Sequence, residues 1–260
     1  MLGLGNSLSS PSEHEQLYSI SLDGTGDFMD TGDTFQSTFR DSFSISFWVK
    51  LTDGVTSSHQ ILFGTKNADS TDGINFANRA NTGLLYFKLE ANNDFVIQQS
   101  DAAVFTNGQD DWKHIVVTVT HSGSGNTTCA LYVHGSVIAS TESSALSENN
   151  QDDYTTDINP YVGAYNSNGS AGSFVTGNFD QVAIWDVALD ADAVNAIYNG
   201  RFDLTSNRTI RGKVYDNASD LVAYWKMNDG SGTTVVDYSG NGNNGTLAGD
   251  ATFSTDTFDD

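Results

Sequence analysis

The sequence predicts an all-β fold, a two-sheet antiparallel jelly-roll sandwich with one short helix. Three observations carry that expectation. Apolar residues alternate with period two in many short runs, clusters of Gly, Asn and Asp separate those runs, and the acidity is carried almost wholly by Asp. Alternation places every second side chain on one face of a strand, so each run builds a strand with one face in a core. Glu favours helices whereas Asp favours turns and caps. A chain in which only Glu13, Glu15, Glu90, Glu142 and Glu148 break the run of aspartates is therefore poor in helix.

The clearest strand is FSISFWVKL, where Phe43, Ile45, Phe47, Val49 and Leu51 share one face and Ser44, Ser46, Trp48 and Lys50 the other. WKHIVVTVTH repeats the pattern through Ile115, Val117 and Val119. Further strands are predicted over 17–22, 26–30, 60–65, 84–90, 94–99, 128–134, 136–141, 160–165, 173–186 and 221–227. Turn pairs such as Asp53-Gly54, Asp72-Gly73, His134-Gly135, Asn168-Gly169 and Asp229-Gly230 separate them. More than ten short strands with little helix imply two stacked sheets. The helix is expected after Asp190, which can accept from first-turn N–H groups. Leu189, Ala193 and Ile197 then share a face, Gly200 takes the C′ position, and the helix covers one end of the sandwich.

No composition shift divides the chain. Residues 17–253 read as one domain, with 1–16 and 254–260 as flexible or partner-bound tails because they hold few apolar residues. A chain of 260 residues, 38% of them hydrophobic, can build a core without staples, and the single Cys129 forms no internal disulfide. The four Trp, at 48, 112, 185 and 225, lie in or beside strands and read as core.

Charge narrows the function. With 33 acidic and 11 basic residues, a formal −22, the surface repels phosphate backbones and no nucleic-acid partner is expected. No run approaches the ~18 apolar residues of a membrane span, and the opening MLGLGNSLSSPSEHEQ has neither the basic nor the apolar segment of a secretory signal. A Met start without a signal, together with an Asp/Asn/Gly/Thr-rich surface of exported type, points to a virion surface, the alternative being an extracellular protein.

Catalytic patterns are missing. His14, His59, His114, His121 and His134 follow no metal-ligand spacing, Cys129 sits in an apolar strand, and there is no G-x-S-x-G elbow or phosphate loop. Retaining glycoside hydrolysis needs two carboxyls ~5 Å apart. No Glu stands in such an alternating pair, and the Asp110-Asp111 and Asp152-Asp153 neighbours would point to opposite faces of any strand. One constellation suits a hard cation. Leu22-Asp23-Gly24-Thr25-Gly26-Asp27-Phe28, beside Gly177–Trp185, offers the carboxylates and turn carbonyls that calcium takes, although turn formation alone explains the same residues.

The segments LDGTGDFMDTG, FSISFWVKL, WKHIVVTVT, GNFDQVAIWDVALDADAVNAIYNG and LVAYWKMNDGSGTTVVDYSGNGNNGTL, spread over 17–253, resemble the laminin-G-like, concanavalin A-like lectin/glucanase superfamily. The resemblance implies a jelly roll with a structural Ca2+ held by Asp23, Asp27 and Asp180, Asp180 being the Asp of the D-x-V-x-I-W motif. It also implies sugar contacts on rim loops, here Asn75–Arg79 and Tyr165–Asn168, with Asn78, Arg79, Tyr165 and Asn166 as ligand-binding candidates, although ordinary polar turns account for the same segments. The E-x-D-x-x-E strand that marks the laminarinase-like hydrolases of the superfamily is missing. The W-x-x-x-D-G-S-G…D-x-S-G-N-G-N-N-G-T block closes the domain here, an order that resembles marine bacteriophage structural proteins.

The resulting expectation is a non-enzymatic, calcium-supported adhesion protein on a virion, as a capsid decoration, fibre or appendage component. It would join other virion proteins in a homo-oligomer or symmetric assembly and bind cell-surface glycans. The alternatives are a carbohydrate-binding module of a bacterial exported protein and, less favoured by the residues, a glycoside hydrolase.

Overall fold

A computed structural model describes residues 16–65, 72–108 and 111–259. The expected N-terminal tail, apart from Gln16, lies outside the described residues, as do His14, Asp110 and most of the polar loop at 66–72. No helix among the described residues is long and apolar enough to cross a membrane.

Two antiparallel sheets form the sandwich. The first runs, in spatial order, Ser136–Val137, Thr128–Val133, Lys113–Thr120, Phe43–Leu51, Thr176–Trp185, Ser19–Asp23 and Thr252–Ser254, with Leu221–Trp225 also paired to Thr176–Trp185. The second runs Ser140–Ser143, Asp94–Ala103, Leu84–Ala91, Gly73–Asn78, Gln60–Thr65, Tyr161–Val162, Phe28–Asp30, Gly245–Ala248 and Thr234–Val235. The short pair Tyr165–Ser167 and Ser170–Gly172 joins the second sheet through a parallel contact with Gln60–Thr65. Alternation works as expected in Phe43–Leu51: Phe43, Ile45, Phe47, Val49 and Leu51 enter the core between the sheets, where Phe47 meets Phe76 and Phe179 edge-on. Cys129 is a free thiol packed beside that core.

The opposite face of the first sheet is also covered, contrary to a sandwich with polar outer faces. Val116, Tyr132, Ala183, Trp185 and Tyr224 form a second apolar cluster with Ala193, Val194, Ala196 and Ile197 of the helix Ala191–Gly200. The helix therefore lies on the sheet rather than over one end of the sandwich. Asp190 Oδ1 caps it by accepting from Ala193 N–H at 2.8 Å. The left-handed residue at its C-terminus is Arg201, at φ 43°, not Gly200, which remains helical.

Trp48, on the outer face, is buried by a different route. Phe258 stacks on it at 4.3 Å and 12°, and Arg201 lies over both rings at 5.6 and 5.5 Å. Thr257 and Phe258 are buried, Asp256 accepts from Lys50 Nζ at 2.8 Å and from Trp112 Nε1 at 3.0 Å, and Ser254 is in the sheet. The segment expected as a C-terminal tail is thus a strap seated on the first sheet. Its one apolar residue, Phe258, is too little for a periodic signal but enough to cover one indole.

The terminal Asp/Asn/Gly block is a hydrogen-bonded turn. Asp237 Oδ1 accepts from Tyr224 N–H and Ser239 N–H, both at 2.9 Å, and Oδ2 accepts from Ser239 Oγ at 2.8 Å and Asn243 N–H at 2.9 Å. Trp225 Nε1 donates to the Asn243 carbonyl at 2.7 Å, so the motif's Trp and its Asn-Gly turn hold each other in place.

Candidate functional site

The outer face of the second sheet carries a cleft of about 320 Å³. Its floor follows from cross-strand register. Tyr165 lies beside Gly64, Gly64 opposite Asn75, and Asn75 opposite Lys88, while the neighbouring row sets Ala77 opposite Tyr86 and Tyr86 opposite Gln99. Inward neighbours Phe63, Ile74, Phe76, Leu85, Phe87 and Leu89 fill the core, so the alternate residues must face out. Gly64 and Gly73 keep the floor low: a Cβ on Gly64 would sit 2.8 Å from the Ile61 side chain, and one on Gly73 would sit 2.9 Å from the Thr65 carbonyl.

Polar groups converge on this floor. The Arg79 guanidinium stacks over the Tyr86 ring at 5.2 Å and donates through Nη1 to Gln99 Oε1 at 2.5 Å. Lys88 Nζ pairs with Glu90 Oε2 at 2.6 Å and lies 4.5 Å from the Phe95 ring centre. His59 Nδ1 accepts from Ala80 N–H at 3.2 Å. Asp72 accepts from Asn92 N–H at 2.7 Å and from Thr155 Oγ1 at 3.2 Å. Burial pushes the Tyr86 phenol up, against the lowering pull of Arg79, so Tyr86 meets a ligand as a neutral hydroxyl and a ring face. Tyr165 closes the opposite side, its ring packed over Gly172 so closely that a Cβ there would lie 3.2 Å away.

Two of the four ligand-binding candidates therefore line the cleft and two do not. Arg79 and Tyr165 face it. Asn78 is buried and donates to the Gly54 carbonyl at 2.9 Å and Gln60 Oε1 at 2.8 Å, and Asn166 is buried, donating to the Asn159 carbonyl at 3.0 Å and accepting from Gly169 N–H at 2.7 Å. Both amides hold backbone in place. The reason is that Gly73–Asn78 is a central strand rather than a rim loop, so alternation turns Asn75 out and Asn78 in. Its neighbours Tyr86, Lys88 and Glu90 were missed as site residues, although their alternation with Leu85, Phe87 and Leu89 was readable in the sequence.

The acidic turn is a separate place. Asp23, Asp27 and Asp250 each offer a carboxylate oxygen, all within 4.8 Å of one another. Asp27 is buried, with Oδ2 accepting from Asp23 N–H at 3.0 Å and Oδ1 from Asp250 N–H at 2.8 Å. Carboxylate oxygens beside turn carbonyls fit the hard donor set of calcium, and each aspartate oxygen keeps a lone pair beyond its turn hydrogen bond. Both turns are crossovers between the sheets, Asp23 ending a strand of the first before Phe28–Asp30 in the second, and Asp250 linking Gly245–Ala248 to Thr252–Ser254. Asp180 does not join this group. Asp23 pairs with Thr176, and Asp180 lies four residues further along that strand, about 13 Å away at ~3.3 Å per residue. Asp250, which the sequence did not single out, takes its place, because the pairing of Thr252–Ser254 with Ser19–Asp23 and of Gly245–Ala248 with Phe28–Asp30 brings the two turns together.

The family described as the concanavalin A-like lectin/glucanases superfamily (Laminin_G_3) matches residues 23–195. No curated protein sequence matches the chain. Among solved structures, a candidate carbohydrate binding protein from Bacteroides ovatus is similar at 17% identity and a TM-score of 0.56, over 91% of this chain and 60% of that one. This chain thus spans less than two thirds of that protein. The CBM40 of Ruminococcus gnavus IT-sialidase, bound to α2,6 sialyllactose, is similar at 16% identity and a TM-score of 0.53, over 72% of this chain and all of that one. NanB sialidase from Streptococcus pneumoniae, in a complex with a substituted ethanesulfonate, shows 17% identity and a TM-score of 0.52, over 72% of this chain and 28% of that one. At these identities the likeness is one of fold.

Proposed function

Because the chain belongs to the concanavalin A-like lectin/glucanases superfamily, and its structural neighbours include carbohydrate-binding modules, we propose that it is a non-enzymatic lectin-like protein that binds a glycan in the Tyr86–Tyr165 cleft. The observation that carries this reading is two tyrosines and a set of fixed polar groups converging on one rigid sheet face. Sugars offer apolar C–H faces and a rim of hydroxyls. Tyr86 and Tyr165 supply ring surface for the first, and Asn75, Lys88 and Glu90 supply donors and acceptors for the second. The two carboxyls lining the cleft, Glu90 and Asp72, are engaged with Lys88 and with Asn92 and Thr155, which suits binding better than proton transfer.

The test is a glycan array followed by calorimetry on the whole chain. Tyr86→Ala and Tyr165→Ala should each weaken the best ligand by about tenfold or more, while Asn217→Ala, in the turn that precedes Leu221–Trp225 and outside the cleft, should not. An array with no ligand, or full affinity in both tyrosine variants, would overturn the reading.

Calcium at Asp23, Asp27 and Asp250 completes the proposal. A bound ion there would supply charge neutralisation and tie the two crossovers between sheets. The proposed location is a virion surface, supported by the closing position of the 225–246 block and by the acidic surface, which suits a salt-rich medium where screening limits self-repulsion. Mass-spectrometric detection in purified particles tests that location; finding the chain only in a soluble secreted fraction would favour the exported-module alternative.

A further inference from the structure

In a chain with three acidic residues for each basic one, cations are ordinarily neutralised. Lys50, Lys88, Lys113, Arg201, Lys213 and Lys226 each pair with a carboxylate. Arg79 does not. Its bonding partner is the neutral amide of Gln99, its guanidinium carbon lies 5.2 Å from the centre of the Tyr86 ring, and no described carboxylate pairs with it. The guanidinium carries five N–H donors and Gln99 takes one of them, so a rigid, charged fork is left facing the cleft.

The cleft is also polarised along its length. Arg79 and His59 lie at one end, and Asp72 and Glu90 at the other, next to Gly73. From Gly73 to Arg79 the strand direction covers roughly 20 Å at ~3.3 Å per residue. An oxyanion is favoured only at the Arg79 end, while the carboxylates at the other end accept from sugar hydroxyls and repel a second anion.

Resting on the reading of this cleft as the glycan site, we propose that the ligand is an acidic glycan whose single carboxylate or sulfate docks on Arg79 and whose neutral sugars run along the Gly73–Asn78 strand toward Glu90. A uniformly charged polyanion is disfavoured, because the net charge of −22 repels it and Asp72 and Glu90 oppose its far end. A terminal acidic sugar on a neutral chain escapes both penalties.

The experiment uses the whole chain on an array that holds each core glycan in neutral, carboxylated and sulfated forms, with calorimetry on the best matched set. The expected result is at least about tenfold tighter binding of an anionic form over its neutral core. Arg79→Met should remove that preference, so that the anionic and neutral forms of a glycan bind alike, and Arg79→Lys should restore part of it. The carboxylated and sulfated arms show which oxyanion is used. Equal affinity for neutral and anionic forms, or an anionic preference that survives Arg79→Met in a protein with wild-type melting, would overturn the proposal while leaving glycan binding intact. An array with no ligand would overturn both.

Discussion

Gln16 Nε2 donates to Asp180 Oδ1 over 2.7 Å, joining two residues 164 positions apart at a fully buried carboxyl. The backbone N–H groups of Gln181 and Phe258 face the same group, so both ends of the described chain close on it. Burial pushes Asp180 well above the ordinary carboxylate range, and the nearby Asp259 adds to the rise, while those backbone donors oppose it. Asp180 is a buried junction beneath the strap, away from the Asp23, Asp27 and Asp250 group.

An acid that holds its proton more tightly folded than unfolded costs stability as pH rises from the unfolded value, ~3.9, to the raised folded one, and the cost stays at its full size above that. Asp180→Asn keeps an acceptor for Gln16 and cannot ionise. Its melting temperature should exceed the wild type's at pH 8 and approach it at pH 4. Melting curves across that range check this, and a variant less stable than the wild type at both pH values would refute it.

His114 works in the opposite direction. Its Nε2 lies 2.9 Å from Ser46 Oγ, and burial, reinforced by His134, pushes its pKa down to about 3. A neutral buried histidine supports stability that is complete above the unfolded value of ~6.5 and is lost as pH falls from there toward 3. His114→Gln, which can still bond Ser46, should flatten that part of the stability profile measured by urea denaturation; an unchanged slope between pH 6.5 and 4 would count against it.

Calcium should raise the melting temperature, and chelation should lower it. Saturation at 100 times the dissociation constant adds about 2.7 kcal/mol if only the native state binds. Asp250→Asn should abolish the calcium response and Asp180→Asn should retain it. Loss of the response in Asp180→Asn alone would restore the ligand set implied by the sequence resemblance.

Removing the strap's aromatic anchor should be costly. Phe258 is 4% exposed and stacks on Trp48, so Phe258→Ala should destabilise by about 3 kcal/mol, at the low end for buried aromatics because one side of the site borders solvent. Asp256→Asn, which loses a half-exposed ion pair with Lys50, should cost under ~1 kcal/mol. Equal effects of the two variants would contradict the packing account.

The sequence by itself determined the sandwich, because period-two alternation in runs such as Phe43–Leu51 and Leu84–Glu90 is a local property that assigns each side chain to a face. It determined the Asp190 cap for the same reason, since the cap and its N–H partner are three residues apart. The tertiary structure alone decided the rest. Whether Asn75 or Asn78 faces a ligand depended on Gly73–Asn78 pairing with two neighbours, and the union of Asp250 with Asp23 and Asp27 depended on a strand more than 200 residues away closing the first sheet. Arg79 was legible as a residue but not as an unpaired cation, because neutralisation depends on which carboxylates the fold brings within reach.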